Sequence, residues 1–256
     1  MGHIISVANH RDGVGKTTAA VNLAASLAVL EKKTLLIDCD PHAHATAHMG
    51  LCEADISHHL FQVFMGTKPA QQVIAGTDLP YMDFIPATID LSLAEQRLAI
   101  KPGKERVLHT LCHQLLDQYE VIIIDPPSSL GFFTMSALTA ADHVIIPTPC
   151  EVTIREDIGQ LLEVVQIVQE QLNPNVRIGG ILFNMCRDFS QVNARLSPDI
   201  LDDMTPIVFP CTIPEDAVFQ DAREKGKPAV LYDIMSNASR SYFDLSAALF
   251  QKLLGS

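Results

Sequence analysis

The stretch Arg11-Asp-Gly-Val-Gly-Lys-Thr-Thr18 stands between an apolar run, Ile4 to Ala8, and a helix-like run, Ala19 to Leu30. A strand, a glycine-rich turn, Lys-Thr and a helix, in that order, frame a phosphate-binding loop. Gly13 and Gly15 leave room for backbone N–H groups to close around phosphate oxygens, in a cradle running through Val14 and on to Thr18. Lys16 supplies a mobile positive charge, and the Thr17 hydroxyl can ligate magnesium. The strict motif asks for glycine at position 10, which is His10 here, so the loop is a variant and the downstream sequence must support it.

Two further segments do. Thr34 to Ile37 is apolar and ends in Asp38 and, two residues on, Asp40. Val121 to Ile124 is apolar and ends in Asp125 and a stiff Pro126-Pro127 turn, the form of a Walker B strand. Buried parallel strands read as continuous apolar runs, and ligands gather at their carboxyl ends. Asp38, Asp40 and Asp125 would therefore lie beside the phosphates, where magnesium and an attacking water need oxygen partners. Strands are expected near 3–8, 34–38, 82–86, 120–125, 143–147, 177–183 and 207–211. Helices are expected at 16–30, 104–118, 132–141, 155–172, 190–203 and 236–254. The alternation predicts an α/β fold: one doubly wound, mostly parallel sheet with helices on both faces, a P-loop NTPase spanning residues 1–256 as a single domain.

These segments resemble the ParA/Soj branch of the ParA/MinD ATPases, the bacterial partitioning and positioning proteins. The resemblance rests on Gly13 to Thr18, Val21 to Ala25, Leu35 to Pro41 and Ile122 to Asp125. It continues through Val144 to Pro147, Cys150-Glu151, Ile213-Pro214, Gly226 to Pro228 and Tyr232-Asp233. It implies an ATPase that alternates between an ADP-bound monomer and an ATP-bound sandwich homodimer, with Mg2+, and whose hydrolysis a ParB-like activator or cargo adaptor stimulates. It implies that Lys16 and the backbone from Gly13 to Thr18 hold the phosphates, and that Thr17, with Asp125 and Asp38 through waters, places magnesium. Asp40 would orient the attacking water, Arg11 would contact phosphates across the dimer, and Asn184 and Pro214 would face the adenine. The function implied is chromosome or plasmid partitioning; positioning of a protein cargo, or a nucleotide-binding scaffold with little turnover, are the alternatives.

Composition bounds the rest. Eighteen basic against thirty acidic residues give a net charge of −12, which by itself repels DNA. The six cysteines lack metal-like spacing and read as reduced thiols of a cytoplasmic protein. No run approaches the length of a membrane span, and the amino terminus lacks the form of a signal peptide. Met1 to Ser6 fits a myristoylation pattern formally, but the same residues must enter the first strand. The last helix carries only Arg240 and Lys252 as basic residues, so the basic amphipathic tail of a membrane-bound relative is absent.

The chain departs from the family at several points. The P-loop opens Arg11-Asp12 where the family has Lys-Gly. Arginine keeps the charge on a planar fork suited to phosphate, whereas Asp12 adds a carboxylate beside the nucleotide unless it points into solvent. The family's DNA-binding arginines fall at Phe189 and Val218, and a nearby basic position is Glu215. Non-specific DNA binding is expected to be weakened, with nucleoid association depending on whether Arg187, Arg195, Arg223, Lys225, Lys227 and Arg240 form a relocated patch. His42, His44 and His48 could ligate zinc, or replace the polar side chains of a switch loop.

Overall fold

The computed structural model describes residues 2–98, 100–150, 154–186 and 208–254. The chain begins with β1 (His3–Val7), α1 (Lys16–Val29), β2 (Thr34–Asp38), α2 (His44–His48), α3 (Leu60–Phe64), β3 (Ala75–Gly76), β4 (Met82–Ile85) and α4 (Leu91–Leu98). It continues with α5 (Val107–Leu115), β5 (Val121–Asp125), α6 (Phe132–Ala140), β6 (His143–Pro149), α7 (Ile154–Gln171), β7 (Arg177–Asn184) and β8 (Val208–Ile213). Three helices close it: α8 (Ala217–Glu224), α9 (Ala229–Tyr232) and α10 (Asn237–Leu249).

The eight strands form one sheet in the order β3-β4-β2-β5-β1-β6-β7-β8. Every neighbouring pair is parallel except β3 with β4. Side chains alternate across such a sheet, and both faces are apolar. Ile4, Leu35, Ile37, Ile122 and Ile124 pack on one face against α5 and α6. Ile5, Leu36, Val121 and Ile123 pack on the other against α1 and α10. Each strand is therefore buried on both sides, which is why these segments read as unbroken apolar runs rather than alternating ones.

The expected α/β architecture is the observed one. Boundaries differ where turn chemistry intervenes. Residues 104–106 form a 3-10 turn led by Gly103 in the left-handed region, so the helix expected over 104–118 is regular only in α5. The terminal helix widens to a π turn over Phe250–Leu254. The helix expected at 190–203 lies outside the described residues. Short helices α2, α3 and α9 are too brief to carry a readable period. Helix α8, whose Asp216 cap accepts from the Val218 N–H at 3.0 Å, is long enough for two turns but was not separated from its loop in the sequence.

What matters for a ligand is the centre of the sheet. Strand β1 sits between β5 and β6, so the loop leaving its carboxyl end lies where the chain turns from one half of the sheet to the other. That edge is the usual crevice of an open α/β sheet.

Candidate functional site

The loop between β1 and α1 is built on positive φ angles at Gly13 (75°) and Gly15 (87°). Gly15 has a second constraint: a Cβ there would lie 2.6 Å from the Asn184 Nδ2 atom. That amide donates to the Val14 carbonyl at 2.7 Å, tying the end of β7 to the loop. Helix α1 starts at Lys16 with no side-chain cap, which leaves first-turn N–H groups for an anion. Lys16 is buried, and its Nζ donates to the Arg11 carbonyl at 2.6 Å, across the mouth of the loop.

Behind the loop, the register of β2 and β5 sets Asp38 opposite Asp125. Both are fully buried. Asp38 accepts from the Asp40 N–H at 3.0 Å and from the Thr46 N–H and hydroxyl at 2.8 and 2.7 Å. Burial nevertheless raises its pKa to about 6, these hydrogen bonds opposing the rise. Burial, and then repulsion from Asp38, push the Asp125 carboxyl well above its ordinary range; Thr17 and Lys16 favour its ionised form. Neither Asp125 oxygen has a well-formed hydrogen bond among the described residues. Two opposed carboxylates, one without a well-formed hydrogen bond at either oxygen, beside the Thr17 hydroxyl are a donor set that fits a small hard cation sharing phosphate and water ligands.

Asp40 stands at the rim, 6% exposed. Its Oδ1 accepts from the His42 N–H at 2.8 Å and lies 3.1 Å from His42 Nδ1; its Oδ2 lies 2.9 Å from His44 Nδ1. Asp12 is exposed, and a hydrogen bond from Ser128, then the charge of Lys16, hold its carboxyl below the usual range. Arg11 is exposed, its N–H donating to Asn9 Oδ1 at 3.1 Å.

The loop and Asp40 share one cleft of about 590 Å3, lined by Asp12, Gly13, Gly15, Lys16, Thr17, Thr18, Asp40 and the 126–129 turn, with Asp38 and Asp125 buried behind it. A second hollow of about 430 Å3 shares Gly15, Thr18 and Met185 with it and adds Asn184, Ile213, Pro214, Phe219 and Tyr242. The structure thus brings Asn184 and Pro214 beside the loop, in a partly apolar recess of a size to take a flat base.

Three features escape sequence reading. Thr46 fixes Asp38 and also accepts from the Ala87 N–H at 3.0 Å, a contact across 41 residues that no local pattern signals. His48 is 2% exposed in the cleft wall, its Nε2 without a partner among the described residues, and burial, then the charge of Arg223, lower its pKa to about 4. Arg223 borders this cleft too, whereas Lys225 and Lys227 border a different hollow with Gly50 and Asp78. Arg187, Arg195 and Phe189 lie outside the described residues. Val218 packs against the small cluster of Ala222, Ala229 and Ala238. The zinc reading fails among the described residues: no group of three or more His, Cys, Asp or Glu is placed to hold a metal ion, because His42 and His44 turn to Asp40 while His48 is buried. All six cysteines are free thiols, and no helix among the described residues is long and apolar enough to cross a membrane.

Comparison with known proteins agrees with this geometry. A family model described as an AAA domain matches residues 2–178. The chromosome partitioning protein ParA of Myxococcus xanthus is 36% identical over 252 residues, 98% of this chain and 89% of that protein. The sporulation initiation inhibitor protein Soj of Bacillus subtilis is 36% identical over 246 residues, covering 96% of this chain and 97% of that protein. Among solved structures, cobyrinic acid a,c-diamide synthase from Mycobacterium smegmatis, with a bound ATP analog and magnesium, superposes with a TM-score of 0.83 at 28% identity. The match covers 98% of this chain and 95% of that one.

Proposed function

The chain belongs to the ParA/MinD family of P-loop ATPases, and from that premise we propose that it is a Mg2+-dependent, ATP-driven dimerisation switch that partitions chromosomal or plasmid DNA. The observation that carries this reading is the union, at one sheet edge, of the P-loop, the Asp38–Asp125 pair and the recess at Asn184 and Pro214. Phosphates, cation and base each find a fitted surface there. In this reading Lys16 and the Gly13-to-Thr18 backbone, Val14 included, bind the phosphates. Thr17, Asp38 and Asp125 hold the cation, which neutralises phosphate charge. Asp40 sits where an attacking water is oriented, and Arg11 reaches the second nucleotide of the dimer. Hydrolysis is slow alone and accelerated by a ParB-like activator. The test is phosphate release and sedimentation with ATP, with and without such a partner and duplex DNA. A chain that neither dimerises nor turns over with partner and DNA present is a scaffold instead.

Positioning of a protein cargo is the second reading, and one residue favours it. Val218 stands where the resemblance places a DNA-binding arginine, and it is packed on alanines rather than presented as a charge. Mobility shifts of non-specific duplex DNA with ATP, at low and physiological salt, separate the two. Binding that is weak and lost with salt is expected for partitioning; none at low salt favours a protein cargo.

A further inference from the structure

Asp40 is gripped at both oxygens by imidazoles, Oδ1 with His42 Nδ1 and Oδ2 with His44 Nδ1. The two rings lie nearly parallel, with centroids 5.6 Å apart. Ala43 between them takes a left-handed φ of 54°, an uncommon conformation for a residue with a Cβ, and this fold-back turns both rings toward the same carboxylate. The chemistry of that grip has a consequence. A carboxylate has no proton to give, so each Nδ1 must be the donor. A neutral ring that carries its proton on Nδ1 presents a bare lone pair at Nε2. Neither Nε2 has a hydrogen-bond partner among the described residues, and both histidines line the phosphate cleft with Asp12 and Lys16.

We propose that His44, oriented by Asp40, is the general base that takes the proton of the attacking water. The proposal rests on the ATPase reading of the cleft and adds a proton acceptor, the ring that Asp40 holds, beside the water that Asp40 orients. The oxygen–phosphorus bond from water forms as the bond from the γ-phosphorus to the bridging oxygen breaks. The electron pair of the broken bond leaves with ADP, the water proton moves to Nε2, and the imidazolium later returns it to solvent. His44 is favoured over His42 on geometry: its contact is shorter and its side chain is 54% rather than 73% exposed. Its charge also acts on Asp12, at the loop mouth, more strongly than that of His42. The charged and titratable groups facing it are Asp12 and Lys16 from the loop, Asp40 and His42 beside it, His48 on α2 and Arg223 on α8. Behind Asp40 lie Asp38 and Asp125, on which its charge acts.

The test begins without nucleotide. In nitrogen-15-labelled protein at pH 8, long-range proton–nitrogen correlations should show His44 protonated at Nδ1 and bare at Nε2. Asp40→Ala should return the ring to the Nε2–H form. With ATP, His44→Ala should bind within about twofold of wild type, hydrolyse about 10²-fold more slowly, and lose the fall in rate toward acid pH; His58→Gln, whose ring meets Lys68 away from the cleft, should keep both rate and acid limb. An Nε2–H tautomer at His44 in the wild type, wild-type turnover in His44→Ala, or an unchanged acid limb in that variant would overturn the proposal. A wild type that fails to bind ATP overturns the ATPase reading and the base role with it. A wild type that binds and turns over ATP, with failure only in the His44 experiments, leaves that reading intact.

Discussion

Gly50 and Gly226 meet backbone to backbone: both have positive φ (78° and 63°), and a Cβ on Gly50 would lie 2.8 Å from the Gly226 carbonyl oxygen. A Cβ on Gly226 would strike the Gly50 Cα. The contact joins the segment after α2, which follows the Asp40 loop, to the turn after α8, which carries Lys225 to Lys227. Gly66 offers a control, with φ 69° and nothing within 4 Å of a built Cβ. Gly66→Ala should cost about 1 kcal/mol from conformation alone. Gly50→Ala should cost about 1–3 kcal/mol more, because backbone must move. Urea unfolding of the two variants checks this, and equal losses would mean that the contact yields without strain.

Lys16→Ala should weaken ATP binding by about 1.5–3 kcal/mol, the range of a hydrogen bond to a charged group. That corresponds to about a ten- to more than hundredfold change in affinity. Calorimetric titration measures it directly. Near-native affinity in the variant would remove the phosphate role from the buried ammonium and leave the helix terminus as the anchor.

Asp40→Ala should leave ATP bound while hydrolysis falls by about 10²-fold, since in the proposed role its carboxylate would act in the transition state more than in ground-state binding. The dimer formed with ATP should then persist. Equal turnover in mutant and wild type would make Asp40 a structural end of its strand and would remove the catalytic part of the His44 ring that it holds.

Asp12→Gly should strengthen ATP-dependent dimerisation by about two- to fivefold, a small effect because the carboxylate is exposed and screened. It removes a negative charge from a rim shared with incoming phosphates, and also the hydrogen bond from Ser128. Sedimentation with a slowly hydrolysed ATP analogue reads the outcome. Weaker dimerisation would show that the Asp12–Ser128 contact holds the 126–129 turn in the form that a second subunit needs.

His48 makes stability depend on acid. Its folded pKa is lowered from 6.5 to about 4, so below pH 6.5 the unfolded chain takes up a proton that the folded chain refuses. Stability therefore falls as pH drops through that window, by about 2 kcal/mol between pH 7 and pH 5. His48→Gln should flatten this part of the profile in urea titrations at the two pH values. An equal loss in the variant would assign the acid sensitivity to other groups.

How much of this was legible depends on how local each signal is. The P-loop and the strands ending at Asp38 and Asp125 are written in consecutive residues, since a strand buried on both faces must be apolar throughout. The register that opposes those two carboxylates follows from the same strands once they pair. The Thr46–Ala87 contact, the Ser128 contact to Asp12 and the burial of His48 beside Arg223 depend on segments brought together from far apart in the chain, so no spacing announces them. Asn184 and Pro214 were reached through family resemblance, and they line the recess beside the loop. The basic candidates are not decided by a count of charges, which carries no direction: Arg223 borders the cleft, whereas Lys225 and Lys227 border another hollow.

The amide of Asn184 grips Val14 across 170 residues of chain, and it touches the place where Gly15 has no side chain. This has a consequence for the order of synthesis. A nascent chain that has emerged only as far as β5 already holds Lys16, Thr17 and both buried aspartates, yet it lacks the strand that braces the loop between Val14 and Gly15. Contacts of such long separation form late, because the loop they close must first be ordered. Competence to hold nucleotide should therefore arrive on the ribosome in one step, when β7 docks beside β6. A polypeptide released before that point would carry the whole Gly13-to-Thr18 motif and should still fail to hold ATP.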